Sequence, residues 1–221
     1  MIYFLKSILI CYNIIILLTV RKKFTVMDKE IIDSIEQKGI SVIIPVYNAE
    51  KYIERCVNSL FSQTFINNMD LIFVIDKNSK DKSEEILRDL TKNSDKTVKI
   101  INPQNGTGAG YNRNQGMNYI TKDFFGFADA DDYADNDFFE KLYDNAQKFN
   151  ADIAVAQTKV INEKTKREIM TVNFPYVSEL YTFSEIYSKI KWNSVWDKIF
   201  RTKIFKNDLN VRFARSEERR V

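Results

Sequence analysis

Asp129, Asp131 and Asp132 stand almost side by side where the apolar run FFGF ends. Carboxylates this close repel one another unless a proton or a cation lies among them. A hard divalent ion, Mg2+ or Mn2+, answers the crowding with oxygen ligands and brings a diphosphate with it. Asp129 and Asp131 are therefore read as metal-binding or sugar-nucleotide-binding residues. The plainer explanation, that acids merely begin the next helix, suits the rest of the cluster. Asp137 and Glu140 have capping-box spacing, and Asp135 favours the same helix N-terminus. Phe124, Phe125 and Phe127 predict a buried strand, which puts the acids at its C-terminal end, where open α/β sheets hold their ligands.

Other chemistries are excluded by what the chain lacks. With no histidine among 221 residues, a histidine triad, a histidine base and histidine zinc ligands all drop out. Two cysteines, Cys11 and Cys56, make neither a disulfide framework nor a thiol metal site and point to a reducing compartment. The net charge of +3, left from 33 basic and 30 acidic residues, implies no nucleic-acid partner. The turn NGTGAGYNRNQG fails the dinucleotide fingerprint, because Tyr111 stands where the third glycine is needed, and it lacks the Lys-Ser/Thr ending of a triphosphate loop. It does lead into a predicted helix bearing Arg113, whose planar guanidinium suits a diphosphate or a base.

The elements that must position these groups alternate. SVIIPV predicts a strand stopped by Pro45, Glu50 to Phe61 a helix, Leu71 to Ile75 a strand ending at Asp76, and Ser83 to Leu90 its return helix. Val98 to Ile101, the acid-ended strand and Asp152 to Gln157 follow, with helices over Tyr111 to Ile120 and up to about Phe149. This is an α/β pattern, a mostly parallel sheet with helices on both faces. Beyond Gln157 the pattern weakens: Thr158 to Val172 reads as a hairpin, Ser184 as the cap of a helix to Ile190, and Trp192, Trp196 and Phe200 recur at helical spacing as core residues. Upstream, Asp28 to Gly39 reads as a short amphipathic helix. Ile2 to Val20 is nearly continuous in apolar character and is followed by Arg21, Lys22 and Lys23. Residues 1–26 are thus expected to associate with or span a membrane, basic flank inside, unless Met27 is the true start.

Four segments in order, SVIIPVYNAEKYIERCVNSLFSQT, VIDKNSKDKSEEIL, NGTGAGYNRNQGMNYI and FFGFADADDY, resemble the inverting family 2 glycosyltransferases of the GT-A fold. SVWDKIFRTKIF is similar to the region beyond the metal motif in bacterial members that build surface polysaccharide or lipooligosaccharide. Each motif is weak alone; the ordered set, from Ile40 onward, is specific. The resemblance implies a Rossmann-like GT-A core over 40–157 and an acceptor-side region, cut short, over 158–221. It implies a nucleotide-sugar donor, UDP-sugar by default, and a glycan or lipid-linked glycan acceptor at the cytoplasmic side of the bacterial plasma membrane.

Residue by residue, the resemblance makes Pro45 and Tyr47 the loop that packs on the base and Asp76 the acid that accepts from base or ribose. Arg113 matches the arginine of the family's R-N pair. Asp129 and Asp131 match the D-x-D, the first near the ribose, the second on an Mn2+ or Mg2+ that bridges the diphosphate. Two departures stand out. Lys77 replaces the second acid of the family's V-D-D-G-S, and VRFARSEERRV offers Glu217 and Glu218 where the family carries its E-D catalytic base. The rivals are a nucleotide-binding remnant without transfer activity and a sugar nucleotidyltransferase, the latter disfavoured because no lysine-bearing glycine loop follows the first strand.

Overall fold

The computed structural model describes residues 7–8, 15–19, 37–165, 167–172, 180–182, 194–203, 205 and 212–213. Its centre is β3 (Gln37–Val46), in which Ile40, Val42, Ile43 and Ile44 are wholly buried. Consecutive apolar residues are what a strand covered on both faces requires. β3 pairs in parallel with β4 (Met69–Ile75) on one side and with β6 (Lys122–Phe127) on the other, and β4 pairs in parallel with β5 (Thr97–Ile101). β11 (Lys198–Arg201) lies antiparallel between β6 and β7 (Ile153–Ala156). β2 (Ile15–Thr19) follows antiparallel on β7, and β10 (Leu180–Thr182) parallel on β2. The order of the eight strands is β10-β2-β7-β11-β6-β3-β4-β5. β1 (Ser7–Ile8), β8 (Thr158–Ile161) and β9 (Glu168–Val172) form a separate antiparallel sheet, and β8 with β9 is the expected hairpin.

Helices cover both faces of the large sheet. α1 (Ile53–Phe61) buries Ile53, Cys56, Val57 and Leu60, the one-face spacing that its sequence predicts, and shares a core with α2 (Ser83–Thr91) and α4 (Phe138–Lys148). Each aliphatic side chain buried this fully is worth about 1.5–3 kcal/mol. The opposite face is covered by α3 (Ala109–Met117), where Met117 packs with Ile43, Ile72 and Val74. Gly116 makes that approach close: a Cβ there would lie 2.4 Å from Cγ2 of Ile43.

Several expectations are corrected. Gln37 to Gly39 begin β3 rather than end a helix; residues 28–36 of that expected helix lie outside the described residues. Gly39 has φ 136°, and a Cβ on it would strike the carbonyl oxygen of Asn68 at 1.9 Å, so its glycine serves the strand entry. β3 also runs past Pro45 to Val46. Asp137 is the N-cap residue of α4 yet caps nothing: it pairs with Lys141 at 2.6 Å, while Glu140 accepts from the Thr64 hydroxyl. The spacing of Trp196 and Phe200 is not helical, since Phe200 sits in β11. Both pack against the core as expected. Trp192 and the helix expected from Ser184 to Ile190 lie outside the described residues. So does most of 1–26, whose described pieces are β1 and β2. No helix among the described residues is long and apolar enough to cross a membrane.

Candidate functional site

Asp76, one residue past β4, is 2% exposed. Its Oδ1 accepts from the Asn78 backbone N–H at 2.9 Å and from the Thr107 hydroxyl at 2.6 Å. Its Oδ2 accepts from the Gly108 N–H at 2.6 Å and from Nδ2 of Asn112 at 2.7 Å. Gly106 at φ 78° and Gly108 at φ 92° give the turn before α3 the left-handed backbone that presents this amide. Burial alone would raise the Asp76 pKa. The bonds from Thr107, Asn78, Gly108 and Asn112 outweigh it and hold the carboxyl below its ordinary value. The four acceptor positions of the carboxylate are thus all engaged by the protein. A base or ribose contact requires one donor to give way, and the exposed Thr107 is the one placed to do so.

Just past β6, Asp129 accepts from Nη2 of Arg113 at 2.7 Å. The guanidinium of Arg113 lies over the rings of Phe127 and Phe213, 6.0 and 5.5 Å from their centroids, and its buried Nε has no partner. Sequence alone put Arg113 and Asp129 near one ligand; the structure joins them to each other.

The acidic loop is held from α1, and this support was missed in the sequence. Nη2 of Arg55 donates to the Asp131 carbonyl at 2.7 Å, with its guanidinium 4.9 Å from the centroid of Tyr133. The Cys56 thiol donates to the Asp129 carbonyl at 3.7 Å. Burial first, then the charges of Asp132, Asp129 and Asp131, push that thiol far above its ordinary pKa, so it stays neutral. Gln63 donates to the Asp135 carbonyl at 2.7 Å and accepts from the Phe139 amide at 3.2 Å. The Ser59 hydroxyl accepts from the Ala134 amide at 3.3 Å, and Ser59 and Gln63, four positions apart beside the apolar stripe, were the available signal.

Between the two strand ends lies a cleft of about 380 Å3 lined by Pro45, Tyr47, Arg113, Asp129 and Asp131 among others. Tyr47 is 59% exposed, and its neighbour Asn48, at φ 46°, is fastened to the loop after β4: its amide donates to the Ser79 hydroxyl at 3.0 Å, and its Oδ1 accepts from the Lys80 amide at 2.9 Å. Asp76 does not line the cleft, but Gly108 and Asn112, which bind it, do. Glu217 and Glu218 lie outside the described residues. Among the described residues no group of three His, Cys, Asp or Glu could cage a metal ion. The donor chemistry still fits Mg2+ or Mn2+, which need only one or two carboxylates when phosphate oxygens complete the shell; Asp131, at the cleft wall, would be such a ligand.

Comparison with known proteins agrees with the α/β architecture. The model of the family described as glycosyl transferase family 2 matches residues 41–212. Glycosyltransferase GlyA of Streptococcus pneumoniae is 29% identical over 177 residues, 75% of this chain and 25% of that protein. EpsJ of Bacillus subtilis, an uncharacterized glycosyltransferase, is 36% identical over 114 residues, 52% of this chain and 32% of that protein. The crystal structure of S. aureus TarS 1–349 with UDP-GlcNAc superposes with a TM-score of 0.62 at 27% identity, covering 80% of this chain and 48% of that one. The chain spans a quarter to a third of these two curated relatives and about half of the TarS fragment.

Proposed function

The chain belongs to glycosyl transferase family 2, and from that premise we propose that it moves a sugar from a nucleotide-diphosphate donor, a UDP-sugar, to an acceptor hydroxyl in bacterial cell-envelope glycan synthesis. The observation that carries this reading is the cleft at the strand ends, lined by Arg113, Asp129 and Asp131 together with an exposed Tyr47. TarS, the solved relative at 27% identity, binds UDP-GlcNAc, which supports a uridine donor.

In this reading Pro45 and Tyr47 pack on the base, and Asp76 receives a base or ribose donor in place of the Thr107 hydroxyl. Arg113 and Asp129 hold the ribose and diphosphate side. Asp131 would hold a divalent cation, Mn2+ or Mg2+, whose positive charge would stabilise the diphosphate leaving group. A carboxylate of Glu217 or Glu218 takes the proton of the acceptor hydroxyl, and one displacement inverts the anomeric carbon. The acceptor is a glycan or lipid-linked glycan, met at the cytoplasmic face of the plasma membrane, where Arg21, Lys22 and Lys23 favour an anionic surface.

Product analysis tests the reading. Free UDP formed from UDP-GlcNAc or another UDP-sugar supports transfer. Pyrophosphate formed from UTP and a sugar phosphate would make the protein a nucleotidyltransferase, and UDP binding without either reaction would leave a binding remnant.

A further inference from the structure

Three consecutive amides follow Tyr47, and the loop after β4 takes all of them. The Asn48 N–H donates to the Ser79 hydroxyl at 3.0 Å, that of Ala49 to the Ser83 hydroxyl at 2.7 Å, and that of Glu50 to Oδ2 of Asp81 at 2.8 Å. In return the Lys80 amide donates to Oδ1 of Asn48 at 2.9 Å and the Lys82 amide to Oε2 of Glu50 at 3.2 Å. Asp81 is the hub of this seam. Its Oδ1 accepts from the Ser83 hydroxyl at 2.5 Å, the Ser83 amide at 3.1 Å and the Ser79 hydroxyl at 3.4 Å. Burial alone would raise the Asp81 pKa, but the bonds from Ser83, Glu50 and Ser79 outweigh it and hold the carboxyl below its ordinary value. An ionised carboxylate only accepts, so both serine protons turn toward Asp81 and both hydroxyl oxygens are left to face the amides.

Asn48 stands at φ 46°, a left-handed conformation that asparagine tolerates but that persists where its neighbours impose it. The Tyr47 side chain beside it is mostly exposed and makes no hydrogen bond or ring contact among the described residues. The direction of that ring is therefore set by the backbone on which it stands. We propose that Asp81 is a positioning residue, which holds the two serine hydroxyls against the Asn48 and Ala49 amides and so sets the Tyr47 ring where it stacks on the nucleobase of the donor. This role rests on the transferase reading given above, in which Tyr47 packs on the base. Tyr47, Asn48 and Ala49 line the cleft and Asp81 does not, so its effect on binding passes through the turn.

A double-mutant cycle on UDP binding, measured by calorimetry with Mn2+ present, tests the proposal. Loss of base–aromatic stacking in Tyr47→Ala should weaken UDP binding about tenfold. Asp81→Ala, which releases the seam, should weaken it about five- to tenfold in the wild-type protein and less than about twofold in the Tyr47→Ala protein. Ser83→Ala, which frees the Ala49 amide, should have a smaller effect with the same dependence on Tyr47, and it carries the cycle if Asp81→Ala does not fold. Equal losses with and without the Tyr47 ring would overturn the proposal, because the seam would then act on the fold as a whole. So would wild-type UDP affinity in both Asp81→Ala and Ser83→Ala. Unchanged affinity in Tyr47→Ala would overturn it too, while UDP binding by the wild-type protein would leave the transferase reading standing. Failure of the wild-type protein to bind UDP would overturn both.

Discussion

The two strand ends that face the cleft carry aspartates of opposite character. At the end of β4, Asp76 is buried with four donors on its two oxygens. At the end of β6, Asp129 shares one charge-assisted bond with Arg113, and Asp131 lines the open space, its backbone held by Arg55. The first acid is built into the protein and the second pair lies along the cleft wall. The same residue type at the same topological position can therefore be saturated by the protein's own donors on one strand and left along a cleft wall on another.

The largest effect that would sharpen this contrast is on stability. Asp76→Ala leaves the Thr107, Gly108, Asn112 and Asn78 donors without their acceptor, and should cost about 3 kcal/mol or more in urea unfolding. Loss of UDP affinity with unchanged unfolding would instead show that Asp76 serves the nucleotide and not the stability of the fold. Asp131→Ala should do the reverse. Its unfolding should stay close to wild type, while the gain in UDP affinity conferred by Mn2+ falls by about 2–3 kcal/mol. Equal UDP affinity with and without divalent ion in calorimetry would remove the metal from Asp131.

A smaller change is expected at the support of the acidic loop. Arg55→Ala loses the bond to the Asp131 carbonyl and the stacking on Tyr133, and should weaken Mn2+-dependent UDP binding by about 1–2 kcal/mol. Lysine cannot reproduce the planar stack, so Arg55→Lys should not restore it. Full affinity in either variant would show that the loop holds its own shape. The smallest effect is in acid. Because the folded pKa of Asp76 is depressed, its stabilising contribution is complete above the unfolded carboxylate pKa and is lost as pH falls through the folded value. Asp76→Asn should flatten the acid limb of the stability curve, and an unaltered limb would mean that the four bonds do not favour the charged form.

Much of this could be read from the chain because fully buried parallel strands have a plain signature. SVIIPV, LIFVI and FFGF are apolar runs with an acid or a turn at the cleft end, and all three became neighbouring strands. The site was legible as far as residue types and strand ends go, which is why Pro45, Tyr47, Arg113, Asp129 and Asp131 meet at one cleft. Partner choice was not legible. The saturation of Asp76 depends on Thr107 and Asn112, both more than 30 positions away, and the capping box failed because Thr64 and Lys141 took the side chains it needed. The aromatic spacing in WDKIF suggested a helix. The strand instead reflects the open place between β6 and β7, a tertiary demand that local periodicity does not encode.

That inserted strand also bears on how the protein is made. β6 and β7 leave the ribosome well before β11, yet each waits for it as a neighbour. Until Lys198 to Arg201 emerge, a nascent chain presents the unpaired edge of β6, with Phe124 and Phe125, to whatever strand comes first. Synthesis that stalls in this interval would leave an edge suited to joining another unfinished copy. Chaperone capture at that stage, rather than any property of the finished sheet, would then govern how much active protein a cell accumulates.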